Sequence, residues 1–248
     1  MERWAGKTAI VTGASAGIGA IVAVKLADHG MKVVGLARRK EMVDALNKKL
    51  SNKGGKIYGI KVDLSKEEDI LKAFEWSKDN VGPVSILINN AGVCIQAGLT
   101  NGATKYWKEM IDVNLMSLCI GTREACQQMK QHKIDGHIVH INSILGHKIP
   151  GSPFFAMYTA TKWGITALTE ALRVELTSMN SKIKISDVSP GVVQTDMVTS
   201  QTGVVRDLYR SSTALDPNDV ADAVIYVVGT PPTVQVHELI IKPLNETF

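Results

Sequence analysis

The stretch Thr8-Ala9-Ile10-Val11-Thr12-Gly13-Ala14-Ser15-Ala16-Gly17-Ile18-Gly19 decides the fold. Thr8–Val11 is apolar or β-branched nearly throughout, as a strand covered on both faces must be. Glycines then crowd at 13, 17 and 19, and from residue 18 onward apolar side chains return at helical spacing. Strand, glycine turn and helix in immediate succession let the backbone bend sharply and approach a pyrophosphate. The free N–H groups and dipole of the helix start then attract its charge. Gly13, Ser15, Ala16, Gly17, Ile18 and Gly19 are the positions expected to face it. The spacing is G-x-x-x-G-x-G rather than G-x-G-x-x-G, so a bare glycine-rich turn is the alternative.

The same residues spell Gly13-x-Ser15-x-Gly17, the nucleophile elbow of serine hydrolases. An elbow needs earlier strands to build its oxyanion loop, and a later acid followed by a histidine. Here the motif follows the first strand, and His237, the one histidine late in the chain, falls in a strand-like run. The hydrolase reading fails on both counts.

Outward from this unit, short apolar runs alternate with longer amphipathic ones. The short runs are 8–11, 32–36, 56–62, 85–88, 136–141, 184–188 and 236–241; helical patterns occupy 18–29, 41–53, 66–80, 104–132, 156–178 and 217–228. Ser65, before Glu67 and Glu68, is expected to cap one helix, and Asp216-Pro217 to cap the last with proline in its first turn. Alternation with short links implies parallel strands and right-handed crossovers. The expected fold is α/β: a Rossmann-type doubly wound parallel sheet of about seven strands in a three-layer α/β/α sandwich, with residues 1–248 as one dinucleotide-binding domain.

Composition narrows the function classes. With 45% hydrophobic and 21% charged residues, the chain is of ordinary globular type. The net charge of +4 is spread out, and the one tight basic cluster, Arg38-Arg39-Lys40, suits a local phosphate better than a nucleic acid. Cys94, Cys119 and Cys126 form no CxxC pair, so no metal site is expected. Cys119 and Cys126 lie seven apart, on one helical face, in the core or at a subunit contact. No apolar run reaches the roughly 18 residues of a membrane span. The opening residues form neither a signal nor a transit peptide, so a cytoplasmic location is expected.

The second strand bears on cofactor choice. An acid at its end would accept hydrogen bonds from a ribose 2′-OH and select NAD. Gly35-Leu36-Ala37-Arg38-Arg39 offers guanidinium groups instead, which suit the 2′-phosphate of NADP(H). Asp63-Leu64, after the third strand, either holds the adenine amino group or caps a turn.

Tyr158 and Lys162 stand at i and i+4, on one face of a helix. A nearby ammonium favours the phenolate, which lets tyrosine take a hydroxyl proton as hydride leaves the carbon. Ser143, at the end of the fifth strand, is placed to hydrogen-bond the substrate oxygen; otherwise it is a turn residue. Asn114 is a mediocre helix former inside a long helix, which calls for a local reason, catalytic or a buried polar contact.

Assembled, these parts resemble the short-chain dehydrogenase/reductase family along essentially the whole chain. The resemblance rests on TGASAGIG (12–19), Asp63-Leu64, Asn89-Asn90-Ala91-Gly92, Trp107 to Val113-Asn114, Asn142-Ser143, Tyr158-x-x-x-Lys162 and Pro190-Gly191-x-x-x-Thr195. It implies a catalytic set of Asn114, Ser143, Tyr158 and Lys162, with Asn114 holding a water that links Lys162 to bulk. It also implies that Lys162 contacts the nicotinamide ribose and that Asn90, Ala91 and Gly92 support the cofactor. Val193 and Thr195, after Pro190-Gly191, would hold the carboxamide. A homodimer or homotetramer packed through the helices of Asn114 and Tyr158 is implied too. More narrowly, GLARR, DLSKEEDI, GHIVHINS, TALTEALRVEL and SPGVVQT resemble the subgroup containing insect NADP-dependent farnesol dehydrogenases and a vertebrate ketosteroid reductase. Residues 144–157 run slightly longer than the commonest family spacing.

Around the expected site stand Cys94, Ile95, Ile144, Leu145, Phe154, Phe155, Met157, Val192, Val193 and Met197. Cys94, Ile95, Leu145, Phe154, Phe155, Val192 and Met197 are the expected substrate contacts, and such a lining suits an apolar alcohol or ketone. His147 reads as a surface-loop histidine, and residues 197–212 as a lid. The expected activity is hydride transfer between NADP(H) and a hydrophobic alcohol or carbonyl, farnesol among the candidates. A ketosteroid or small-carbonyl reductase and a non-catalytic NADP(H)-sensing binding protein are the alternatives.

Overall fold

The computed structural model describes residues 1–51, 54–199 and 213–246. Among these, seven strands form a wholly parallel sheet in the order β3-β2-β1-β4-β5-β6-β7. The strands are β1 (Thr8–Thr12), β2 (Lys32–Ala37), β3 (Lys56–Lys61), β4 (Val84–Asn89), β5 (His137–Ile141), β6 (Lys184–Pro190) and β7 (Glu238–Ile241). β1, β4, β5 and β6 are buried at every residue, which is why their sequences do not alternate.

The helices are α1 (Gly17–Asp28), α2 (Lys40–Asp44), α3 (Glu67–Asn80), α4 (Thr104–Ile111), α5 (Ser117–Gln131), α6 (Ala156–Ser178), α7 (Asp196–Thr199) and α8 (Pro217–Gly229). Val22 and Leu26 of α1 meet Val220, Val224 and Val228 of α8 in one core layer. Phe74, Ile120 and Leu176, from α3, α5 and α6, build the layer on the other face. The doubly wound three-layer sandwich is therefore as expected. Among the described residues no helix is long and apolar enough to cross a membrane.

Four local expectations need correction. The helix expected over 41–53 is α only to Asp44, then 3-10 over Ala45–Lys49. Asn47 explains the change: its side chain donates to the Ile57 carbonyl and accepts from the Ile57 amide, docking the turn on β3. The pattern over 104–132 is broken at Asp112–Met116 by a π-helical turn containing Asn114. Ser65 does not cap α3; its amide and hydroxyl both donate to Asp63, at 3.1 and 2.7 Å. Ser143 lies two residues beyond the end of β5 rather than at it. The Asp216 cap is as read, with Asp216 and Asp219 forming a reciprocal capping box.

In a parallel sheet the carboxyl ends of all strands lie along one edge. The order reverses between β1 and β4, and a crevice opens there.

Candidate active site

Residues one or two positions beyond the ends of β1, β2, β3, β4, β5 and β6 converge on a cavity of about 710 Å³. Gly13, Arg38, Asp63, Asn90, Ser143 and Gly191 are its representatives from each strand end. Six strand termini thus supply one site, as the topology dictates.

At one end lies the glycine turn. Gly13 has φ +68, and a Cβ there would stand 3.0 Å from the Ala91 Cα and the Asn90 side chain. Only glycine adopts that backbone and that approach without strain. Gly17 has φ +55 and faces the Thr195 methyl, which a Cβ would meet at 3.3 Å. Thr12 locks the neighbouring loop: its hydroxyl accepts from the amides of Asn90 and Ala91, both at 3.0 Å. Helix α1 starts at Gly17 with no side-chain cap and no acid in its first turn. Its first N–H groups are left for a ligand, and the dipole favours an anion. Arg38 and Arg39 line the same end, and Arg39 reaches Ser15 at 3.3 Å. Asp63 lines it too, its carboxyl held below the usual range mainly by the Ser65 hydroxyl and amide. These residues fit an anionic dinucleotide.

At the other end the cavity meets Tyr158, Lys162 and Ser143. Lys162 is buried, donates to the Ile141 carbonyl at 3.0 Å and lies 5.6 Å from the centre of the Tyr158 ring. Burial pulls its pKa down to about 8, opposed chiefly by Asp187. The Ser143 hydroxyl accepts from the Leu145 amide at 3.1 Å, capping a short 3-10 turn over Ile144–Gly146.

Asn114 does not line the cavity; it stands behind it. Its side chain accepts from the Val93 amide at 2.8 Å, and donates to the Val93 carbonyl and the Thr161 hydroxyl, both at 3.0 Å. Thr161 in turn donates to the Tyr158 carbonyl. The buried polar contact is thus present, and it ties the loop after β4 to the helix that carries Tyr158 and Lys162. Gly19 likewise does not line the cavity, and a Cβ there would clash with the Asn90 side chain at 2.3 Å.

Ser15, Ala16, Ile18, Leu64, Gly92, Pro190, Val193 and Thr195 all line the cavity. So do Cys94, Leu145, Phe155, Val192 and Met197 of the expected substrate contacts. Ile95 and Phe154 do not. Ile95 packs into the small apolar cluster around Met110, and Phe154 is 40% exposed. Burial raises the Cys94 thiol to about 12, which favours its protonated form. His147 also departs from expectation: it is half-buried and hydrogen-bonded to Ser189 at 2.8 Å. The expected lid begins in α7, but its residues 200–212 lie outside the described residues.

A family model described as short chain dehydrogenase matches residues 7–203. The chain belongs to the short chain dehydrogenase family. It is accordingly an oxidoreductase. Farnesol dehydrogenase of Aedes aegypti is 46% identical over 252 residues, covering 100% of both chains. Dehydrogenase/reductase SDR family member 11 of Bos taurus is 44% identical, covering 99% of each chain. Among solved structures, a metagenomic short-chain oxidoreductase in complex with NADP superposes with a TM-score of 0.81 at 30% identity, covering 98% of this chain and 99% of that one.

Several residues of this short chain dehydrogenase site were missed in the sequence. Glu109 and Val113 both line the cavity. Their four-residue spacing across the α4 end was a usable signal. Pro150, Gly151 and Ser152 also line it, in the segment already marked by its extra length. Thr12 bonds to Asn90 and Ala91, and Asp187 to Asn142, across 45 to 79 residues of sequence, and no local pattern reveals these ties.

Proposed function

We propose that the chain, as a single NADP-binding domain, transfers a hydride between NADP(H) and a hydrophobic alcohol or its carbonyl, with farnesol the leading substrate. The observation that carries this is one cavity bounded at once by the α1 start, Arg38 and Arg39, and by Ser143, Tyr158 and Lys162. NADP rather than NAD is supported by the two guanidinium groups and by NADP in the metagenomic oxidoreductase complex. Farnesol is supported by 46% identity to the mosquito enzyme over the full length of both chains and by apolar walls at Leu145, Phe155, Val192 and Met197.

Bound NADP(H) supplies the hydride acceptor or donor. The chain's own residues manage the proton and the geometry. Lys162 favours the Tyr158 phenolate by charge proximity, so that the Tyr158 oxygen takes the alcohol proton, or returns it in reduction. Ser143 already accepts from Leu145, which leaves its own hydrogen to donate to the substrate oxygen. Asn114 holds the loop bearing Val93 against the Tyr158 turn, and its place in a π-helical turn suits a carbonyl that binds a relay water.

A homodimer or homotetramer goes with this reading, supported by Met116, Trp163 and Val174 exposed on the outer faces of the α5 and α6 region. A cytoplasmic location is supported by Cys94, Cys119 and Cys126, none of which forms a disulfide. A ketosteroid or small-carbonyl reductase is the second reading, which the same apolar walls suit; the bovine relative carries the broader name dehydrogenase/reductase. The test is NADP reduction or NADPH oxidation against farnesol, retinol, steroid and small-quinone panels. Turnover greatest with farnesol supports the first reading, and with a steroid or quinone the second. If no alcohol or carbonyl responds, a cofactor-sensing binding protein replaces both.

A further inference from the structure

Behind Lys162 lies a group that the mechanism above does not use. Asp187, on β6, is 2% exposed and accepts from the Asn142 amide group at 2.8 Å and from the Ser189 hydroxyl at 2.7 Å. The Ser189 hydrogen is thereby committed, so His147 Nε2, 2.8 Å from the same oxygen, is the donor in the next contact. The other ring nitrogen, His147 Nδ1, stands 3.4 Å from exposed Glu238. A chain of polar contacts therefore runs from a buried carboxylate to the surface at β7.

We propose that Asp187 is a positioning residue for the Tyr158–Lys162 pair: a buried counter-charge, held by Asn142 and Ser189 and linked through His147 to Glu238. The proposal rests on the role given to Lys162 above. Strand register explains the placement. Ile141, whose carbonyl accepts from Lys162, pairs with Val188, so that Asp187 and Ser189 flank the residue opposite. Asn142 continues the same strand end, lines the cavity and reaches Asp187 from there.

The physical need is plain. An ammonium removed from water is driven towards neutrality, and a neutral lysine no longer favours a phenolate. Asp187 opposes that drift; it is the leading group that raises Lys162 against burial. Burial raises Asp187 as well, while the Ser189 and Asn142 hydrogen bonds favour its ionised form. The groups facing Asp187 are Lys162 from α6, His147 from the turn after Ser143, and His237 and Glu238 from the β7 end. Glu170 and Arg173 of α6 share a cavity of about 210 Å³ with it, and pair with each other at 2.6 Å.

The experiment is the pH profile of kcat/KM for NADP-linked oxidation of farnesol, or of the most active alcohol in the panel, from pH 6 to 10. Wild type, Asp187→Asn and Lys162→Ala are compared, with circular dichroism as the check on folding. Removing the carboxylate should move the alkaline limb down by about one pH unit, or about tenfold in rate at its foot. Should Asp187→Asn fail to fold, Asp187→Ser carries the same expectation. A limb that superimposes on wild type, or a uniform fall at every pH without a shift, overturns the proposal. Near wild-type turnover in Lys162→Ala is a different result, and removes the role of Lys162 itself.

Discussion

Lys162 Nζ lies 5.6 Å from the centre of the Tyr158 ring while donating to the Ile141 carbonyl at 3.0 Å. The ammonium is thus fixed from the strand side and presented to the Tyr158 ring. Its burial has a consequence for stability. The folded value of about 8 lies below the ordinary 10.5, so between those values the unfolded chain binds more protons. The contribution of Lys162 to stability should therefore rise with pH through that window, by on the order of 3 kcal/mol. Urea unfolding of wild type and Lys162→Met from pH 7 to 10.5 measures this, and parallel curves would count against it.

At acid pH the buried histidines dominate. His137 and His140 are both brought down to about 3 by burial, from 6.5. Their stabilising neutral forms are fully present above about pH 6.5, and the benefit is lost as pH falls towards 3. His140 is held neutral between the Thr169 and Thr122 hydroxyls, at 2.9 and 3.3 Å. Tm should fall steeply from pH 6.5 to 4.5. In His140→Gln the starting Tm should be lower and the slope shallower; an equal slope contradicts the assignment.

The cofactor end makes a sharper prediction. Arg38→Asp with Arg39→Ala removes two guanidinium groups and adds an acceptor for a ribose hydroxyl. Charge-assisted hydrogen bonds are worth about 1.5–3 kcal/mol each, so the NADP-to-NAD ratio of kcat/KM should drop about 100-fold or more. An unchanged ratio, read from parallel assays with the two cofactors, removes the 2′-phosphate from this end of the cavity.

Asn114→Ala should cost about 1–3 kcal/mol in urea unfolding, because the buried Val93 amide and carbonyl lose their partner. Turnover should fall further than stability explains, since Thr161 and the Tyr158 turn lose their tie to the β4 loop. Full activity with the expected loss of stability would make Asn114 purely structural.

What was legible beforehand follows from how local each feature is. The strands could be read because those in the middle of the sheet are buried on both faces, and the Asp216 cap because its partner lies three residues away. Gly13 and Gly17 were legible for the same reason, since positive φ is a property of the residue itself. Asn114 stands out in the sequence as a poor helix former inside a helix, but its clamp on Val93 spans 21 residues and leaves no local trace. Ile95 and Phe154 show the limit of hydrophobicity as a guide. Both are apolar and near the site, yet one packs into the neighbouring core and the other faces solvent. Ser65 carried a capping signature, but Asp63 claimed its hydroxyl first.

The central claim is that the Tyr158 oxygen moves the proton in an NADP(H)-linked hydride transfer. Tyr158→Phe removes that oxygen and leaves the glycine turn, Arg38 and Arg39 untouched. The decisive measurement is turnover of this variant beside its NADPH affinity, read by the fluorescence of the bound cofactor. The account predicts turnover reduced at least about 1,000-fold, in keeping with the loss of a positioned acid–base group, with NADPH binding little changed. Turnover comparable to wild type would contradict it.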